Sequence, residues 1–192
     1  MTARAPVEAV VIGCSAGGLH ALHVLLGGLT TDFRPPLVVV CHTGGTRDIG
    51  TLCRLLAGSC LLPVAEARER TPVDGGSVYV APAGYHLLIE ADRRFALSVD
   101  PHVCYVRPAA DVLFESAADA YGAGLVGVVL TGANEDGARG LRAVRAHGGR
   151  AIVQDPATAE APTMPGTALA LAGADHSVSL EEIAPLLNAL AA

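Results

Sequence analysis

The chain reads as an α/β protein with a doubly wound, mostly parallel sheet, helices on both faces and an antiparallel hairpin inserted in the sheet or at its edge. Three observations predict this. Short β-branched runs alternate with helix-length Ala/Leu-rich stretches along almost the whole chain, the pattern of successive βαβ units. The apolar content is high at 51%, yet only 4% of residues are aromatic and none is Trp, which suits close helix-on-sheet packing. The 192 residues are enough for one core, and no repeat, low-complexity tract or linker divides them, so 1–192 is expected to be a single domain.

The elements follow in order. Residues 9–12 form a first strand that ends at Gly13, and a helix is expected over 17–26. Pro36 opens a second strand over 37–41, with His42 at its carboxyl end. A helix over 47–57 and short strands at 62–65 and 77–80 follow, the last stopped by Ala81-Pro82. Residues 85–90 and 95–99 are strand candidates separated by Ala91-Asp92-Arg93-Arg94, which predicts the hairpin. Beyond Arg107-Pro108 the alternation resumes, with a helix over 110–121, a strand over 126–130, a helix over 137–146 and a strand over 151–154. A helix after Met164-Pro165, a short strand near 177–179 and a terminal helix from about 180 complete the chain.

Composition excludes several functions. Thirteen basic against nineteen acidic residues give a net charge of −6, which argues against nucleic acid as a partner. All thirteen are Arg, so mechanisms that need a Lys, whether Schiff base or phosphate-loop ammonium, are ruled out. Five Cys without a CxxC pair predict free thiols and a cytoplasmic setting. The amino-terminal residues lack the organisation of a signal peptide, and no apolar run approaches the roughly 18 residues of a spanning helix, so the protein is not expected to be membrane-embedded. No cofactor or metal is expected; His20-x-x-His23 has no Cys or carboxylate at a matching local spacing.

Ligands of an open parallel sheet bind at the carboxyl ends of the strands, so the loops there carry the chemistry. Gly13-Cys14-Ser15-Ala16-Gly17-Gly18 fails as a dinucleotide fingerprint, because Ser15 stands where the second Gly must admit a pyrophosphate. It fits G-x-S-x-G, a turn that exposes a serine nucleophile; the alternatives are phosphate binding and a plain helix cap. His42 is placed to serve as the base, and either Glu135 or Asp136 in Thr131–Gly137 could orient it, although Asp136 could also be only a helix cap. The order Ser, His, Asp, with one strand before Ser15, disfavours an ordinary α/β-hydrolase. Cys14 offers a thiol alternative beside Ser15. Arg47, Arg107 and Arg139 flank the three loops and could meet acidic groups of a substrate or product.

Taken together, these segments resemble the catalytic domain of CheB-type chemotaxis protein-glutamate methylesterases. The resemblance runs from about Val10 to the terminal helix. It rests on Val11–Gly18, Val40-Cys41-His42, Tyr79–Pro82, Arg107–Phe114, Leu130–Gly132 with Asp136–Gly140, Gly148–Asp155, and the Met164-Pro165 pair. It implies hydrolysis of glutamate γ-methyl esters on the methylated cytoplasmic helices of chemoreceptors, with methanol released, and glutamine deamidation in some members. Residue by residue it implies Ser15 as nucleophile, His42 as base and Asp136 as orienting acid, with the amides of Ala16 and Ala133 stabilising the oxyanion.

Three departures stand out. The family loop usually reads T-G-M-G-x-D-G, and this chain has Ala133 and Asn134 at its third and fourth positions. Cys41 and Thr43 flank His42, where Gln and an apolar residue are usual. Members usually carry an amino-terminal receiver domain, and with Ser15 so near Met1 the expectation is a catalytic unit without one, which would place phosphorylation control in a separate receiver-domain protein. A catalytically weak signalling or scaffolding module that retains the fold is the alternative reading. A net acidic enzyme meeting acidic receptor helices further leads one to expect a local Arg cluster at the site.

Overall fold

The computed structural model describes residues 5–42 and 48–192. The strands are β1 (Ala9–Cys14), β2 (Leu37–Cys41), β3 (Val64–Glu66), β4 (Val78–Val80), β5 (His86–Ile89), β6 (Phe95–Ser98), β7 (Leu125–Val129), β8 (Arg150–Gln154) and β9 (His176–Val178). The helices are α1 (Gly18–Gly27), α2 (Ile49–Ala57), α3 (Ala110–Tyr121), α4 (Ala138–Ala146), α5 (Thr163–Leu171) and α6 (Leu180–Ala191).

Seven strands make one sheet in the order β3-β4-β2-β1-β7-β8-β9, and every pairing in it is parallel. The doubly wound architecture predicted from the alternation is therefore present. Its central strands are covered on both sides, which is why they read as continuous apolar runs rather than alternating ones. Val10, Ile12, Leu37, Val39, Val126 and Val128 point to the face covered by α1, α2 and α6. Their neighbours Val11, Val38, Val40, Leu125 and Val129 point to the face covered by α3, α4 and α5. The period-two alternation of a strand thus divides one apolar run between two cores.

The hairpin corrects the prediction in one respect. β5 and β6 form a separate two-stranded antiparallel sheet and are not hydrogen-bonded to the main one. Leu87, Ile89 and Phe95 turn its apolar side onto the α3 layer, and the Ile89 amide donates to Ser116 Oγ of α3 at 3.1 Å. Burial against a helix, with backbone bonds from Arg70 N to Phe95 O and from Phe95 N to Thr71 O, rather than pairing with the main sheet, satisfies this segment. Among the described residues no helix is long and apolar enough to cross a membrane.

β1 also runs two residues beyond its β-branched stretch, through Gly13 and Cys14. Gly13 is paired with Val40 of β2 and Val129 of β7, so the ladder on both sides carries the chain on after its apolar pattern has ended. The chain winds from β1 to one side through β2 and returns to the other through β7, which makes β1 the point where the strand order reverses. Ligands of such sheets bind at that place.

α3 and α4 approach closely at Gly140, where an added Cβ would lie 2.5 Å from Phe114 Cβ and 2.9 Å from the Asp111 carbonyl oxygen. Neither neighbour is a flexible side-chain end that could move aside. Gly140→Ala is expected to cost about 1–3 kcal/mol as an overpacked contact, read as a lower urea midpoint at unchanged m-value; an unchanged midpoint would show that the helices part without penalty.

Candidate active site

Three backbone hydrogen bonds carry the ladder of the central strands past their ends. Leu130 N donates to Gly13 O, Ser15 N to Thr131 O, and His42 N to Cys14 O, each at 3.0 Å. Ser15, His42 and Thr131 therefore follow β1, β2 and β7 in register, on neighbouring strands. The three loops that the sequence singled out are brought together by continuation of the sheet.

Ser15 does not cap α1. The N-cap is Gly17, with φ of 75°, and no side chain makes a capping bond there. Gly18 N donates to Ser15 O at 2.8 Å, closing the turn that puts Ser15 between strand and helix. The neighbouring loop must come close: an added Cβ on Gly132 would lie 3.0 Å from Ser15 Cβ and inside the Met164 side chain. Gly132 is held there by its amide to Ala161 O and its carbonyl to Met164 N, both at 2.9 Å. Thr131 adds a hydroxyl bond to Ala16 O at 2.9 Å and an amide bond to Gln154 Oε1 at 2.9 Å. The amides of Ala16, Gly17 and Ala133 donate to no acceptor among the described residues. Ala16 and Gly17 directly follow Ser15, and Ala133 follows the Gly132 that packs on it; N–H groups without an acceptor are the chemistry an oxyanion needs.

Asp136 is fully buried and Nε2 of His42 lies 2.9 Å from its Oδ2. The helix-cap alternative proves to be half correct, with the wrong helix. Gly137, not Asp136, is the N-cap of α4. Asp136 caps α3 instead: Oδ2 accepts from Ala110 N at 2.5 Å and Oδ1 from Asp111 N at 2.9 Å. These are the first two amides of α3, whose own N-cap, Ala109, has no side chain to offer them. A carboxylate suits both the open amides and the positive end of the helix. Glu135, the other candidate for orienting His42, is exposed.

The arrangement is reciprocal. Asp111, in the first turn of α3, accepts the Gly140 amide of α4 on Oδ1 at 2.7 Å, while its buried Oδ2 has no partner. Burial pushes the Asp111 carboxyl up to about 6, with the Asp136 charge adding to the effect and the Gly140 amide opposing it. Cys104 Sγ, Asp111 and Asp136 lie within 4.8 Å of one another, the one such grouping of possible metal-binding side chains among the described residues. The Asp136 oxygens in that grouping are already committed to amides and to His42.

The remaining sequence candidates fall elsewhere. Arg107 donates to the carbonyls of Val99 and Asp100 at 2.7 and 3.0 Å, which pins the segment after the hairpin. Arg139 pairs with Glu115 at 3.3 Å on the outer surface of α3 and α4. Neither is among the residues around Ser15 and His42 that line the groove, and each has an acceptor within the fold. Arg47 and Thr43 lie outside the described residues. Cys14 is fully buried under α1, and its hydrogen bond to Cys41 and its burial hold the thiol well above its ordinary value, so it is not a competing nucleophile.

An open groove of about 750 Å³ leads to Ser15 and His42, with Leu19, His20 and His23 of α1 along one wall and Leu55 of α2 opposite. Asp48 and Glu160 also border it, and no Arg does among the described residues. The expected Arg cluster is absent from that set. Sequence reasoning missed Glu160 and the second contact of His42, in which Asn134 Nδ2 lies 3.3 Å from Nδ1. Asn134 had signalled itself only as a departure from the family loop.

The fold and this constellation describe a hydrolase-type site, with a serine and a carboxylate-held imidazole at the reversal point of a parallel sheet. Comparison with known proteins gives the family. Residues 10–187 match the model of the CheB methylesterase family, and the chain belongs to it. A Leptospira interrogans protein is 48% identical over 179 residues, covering 93% of this chain and 92% of that one. The protein-glutamate methylesterase/protein-glutamine glutaminase of Symbiobacterium thermophilum is 41% identical over 187 residues, or 96% of this chain, and the chain spans about half (51%) of its length. The crystal structure of the Thermotoga maritima CheB methylesterase catalytic domain superposes with a TM-score of 0.90 at 32% identity, covering 97% of this chain and all of that one.

The raised Asp111 carboxyl makes a pH prediction. Its folded value of about 6 lies above the ordinary 3.9 of an unfolded Asp, so the folded state holds the proton more tightly and loses stability as pH rises from about 4 to 6. Asp111→Asn keeps an acceptor for Gly140 without that loss. Relative to the variant, the unsubstituted chain should gain about 2–3 kcal/mol between pH 7 and pH 4, measured by urea unfolding at both; equal differences at the two pH values would contradict it.

Proposed function

We propose that this chain hydrolyses glutamate γ-methyl esters on the cytoplasmic helices of chemoreceptors by serine acyl transfer. One observation carries the reading: in a chain of the CheB family, Ser15, His42 and Asp136 follow three adjacent strands, with His42 held by Asp136 at 2.9 Å. The name of the Symbiobacterium relative supports the same reaction, with glutamine deamidation as a second one.

The geometry suggests which ring nitrogen does the work. Asp136 accepts from Nε2–H, which leaves Nδ1 as the basic nitrogen. In the chymotrypsin type of triad the two nitrogens have the opposite roles. Here His42 Nδ1 takes the Ser15 proton as Oγ attacks the ester carbonyl. The amides of Ala16 and Ala133, which have no acceptor within the described residues, receive the developing oxyanion. The carbon–oxygen bond to the methoxy group breaks, and methanol leaves with the proton from His42. Water, activated by the same nitrogen, then hydrolyses the acyl-enzyme to give the glutamate side chain and free Ser15. A glutamine substrate follows the same course with ammonia as the leaving group. Asp136 orients the ring and balances the imidazolium as it forms.

The chain acts in this reading as one catalytic domain in the cytoplasm, its groove receiving the substrate helix and a receiver-domain protein supplying any phosphorylation control. The second reading, a scaffolding module with weak chemistry, draws on the absence of a hydrogen bond between Ser15 Oγ and His42. Methanol release from methylated receptor fragments separates the two. Ser15→Ala should lower kcat/KM by at least about 10³-fold, and Asp136→Asn by about 10²–10⁴-fold. Release undiminished in the Ser15 variant would exclude the serine mechanism, and none from the unsubstituted chain would favour the scaffold.

A further inference from the structure

The two ring nitrogens of His42 have different partners. Nε2 faces the Asp136 carboxylate at 2.9 Å, and Nδ1 faces Asn134 Nδ2 at 3.3 Å. The orientation of the Asn134 amide follows from its other end, where Oδ1 accepts the backbone N–H of Asp136 at 3.2 Å. Exchanging its oxygen and nitrogen would set an NH₂ against that N–H, donor against donor. The amide therefore presents N–H to the ring. A donor opposite Nδ1 requires that nitrogen to be unprotonated, and a carboxylate opposite Nε2 requires a proton there. Both neighbours select one tautomer.

We propose that Asn134 is a positioning residue for the base: it holds His42 in the Nε2–H form and covers Nδ1 until Ser15 and the substrate displace it. This rests on the reading of His42 as the base for Ser15. Nδ1 is the nitrogen that must take the Ser15 proton, and in the resting site its lone pair is directed at Asn134. A protonated ring would point Nδ1–H at the Asn134 amino group, and turning the amide to offer Oδ1 instead forfeits the bond to Asp136 N–H. Asn134 thus opposes protonation of the resting base and must move aside for turnover.

The other ionisable groups around His42 come from several elements. Asp136 lies behind the ring, with Asp111 and Cys104 beyond it. Cys41 precedes it, and Asp48, Glu160, His20 and His23 line the same groove. None of these changes in an Asn134 variant, so a change on substitution belongs to Asn134.

The test is a ¹⁵N NMR titration of His42 in the full chain, run beside the pH profile of methyl ester hydrolysis, for the unsubstituted protein, Asn134→Ala and Asn134→Asp. The unsubstituted ring should carry its proton on Nε2. In the Ala variant the titration midpoint should rise by about 0.5–1 unit, the size of one lost neutral hydrogen bond, and the acid limb of the rate profile should move with it. The Asp variant keeps an acceptor for Asp136 N–H and sets a charged acceptor opposite Nδ1, so its midpoint should rise by more than about one unit. A residue that only shaped the turn would leave the Ala midpoint in place. The same midpoint in the unsubstituted and Ala proteins, or a proton on Nδ1, would overturn the proposal. A normal rate with an unmoved midpoint removes the role of Asn134 and leaves the esterase reading intact. A shifted midpoint in a chain that hydrolyses nothing does the reverse.

Discussion

Asp136 has no exposed surface, and its carboxylate accepts the first two amides of α3 together with the ring of His42. Burying an ionisable group without partners is expensive, so these three donors are what allow it to sit behind the site. They also fix where it points. The amides belong to a helix packed on the central strands, and the ring belongs to the end of one of those strands. Asp111 returns the contact by capping α4 from within α3. Carboxylates thus cap both helix starts, which ties down the carboxyl end of the loop from 131 to 137, while the bonds of Gly132 to Ala161 and Met164 hold its other end.

The same economy governs Ser15. Its position follows from ladder bonds that outlast the apolar pattern of β1, and from the close approach of Gly132 and Met164 to its side chain. Strand ends, the Gly132 loop and Asp136 set the serine and the imidazole, and an open groove lined by α1 and α2 leads to them. The buried side provides orientation and the open side access, as an enzyme acting on a residue of another protein needs. The Asp136 contact to Nε2 is made in the resting site, whereas Nδ1 faces Asn134 there and Ser15 does not reach it.

Much of this was legible in the sequence. The alternation of β-branched and Ala/Leu-rich segments fixed the architecture, because a strand buried on both faces must be apolar at consecutive positions. Ser15, His42 and Asp136 could be picked out because each directly follows a strand or opens the next helix. What could not be read depends on contacts between distant segments. Asp136 looks like a cap for the helix beside it and in fact caps one that begins 26 residues earlier, a choice made by the packing of α3 against α4. The hairpin has the alternation of a sheet edge, but its partner is a helix. Arg107 and Arg139 carry the right charge beside the right loops, yet carbonyls and Glu115 reach them first. Asn134 is unremarkable as a loop residue until the ring of His42 is placed opposite it.

If Ser15 is the nucleophile that this arrangement activates, covalent labelling will find it. The full chain treated with a fluorophosphonate, with and without a methylated receptor fragment, would be digested and the adduct located by mass spectrometry. One adduct is expected, on Ser15, formed more slowly when the fragment is present. An adduct on another residue, or an active enzyme that takes no label, would contradict that role for Ser15.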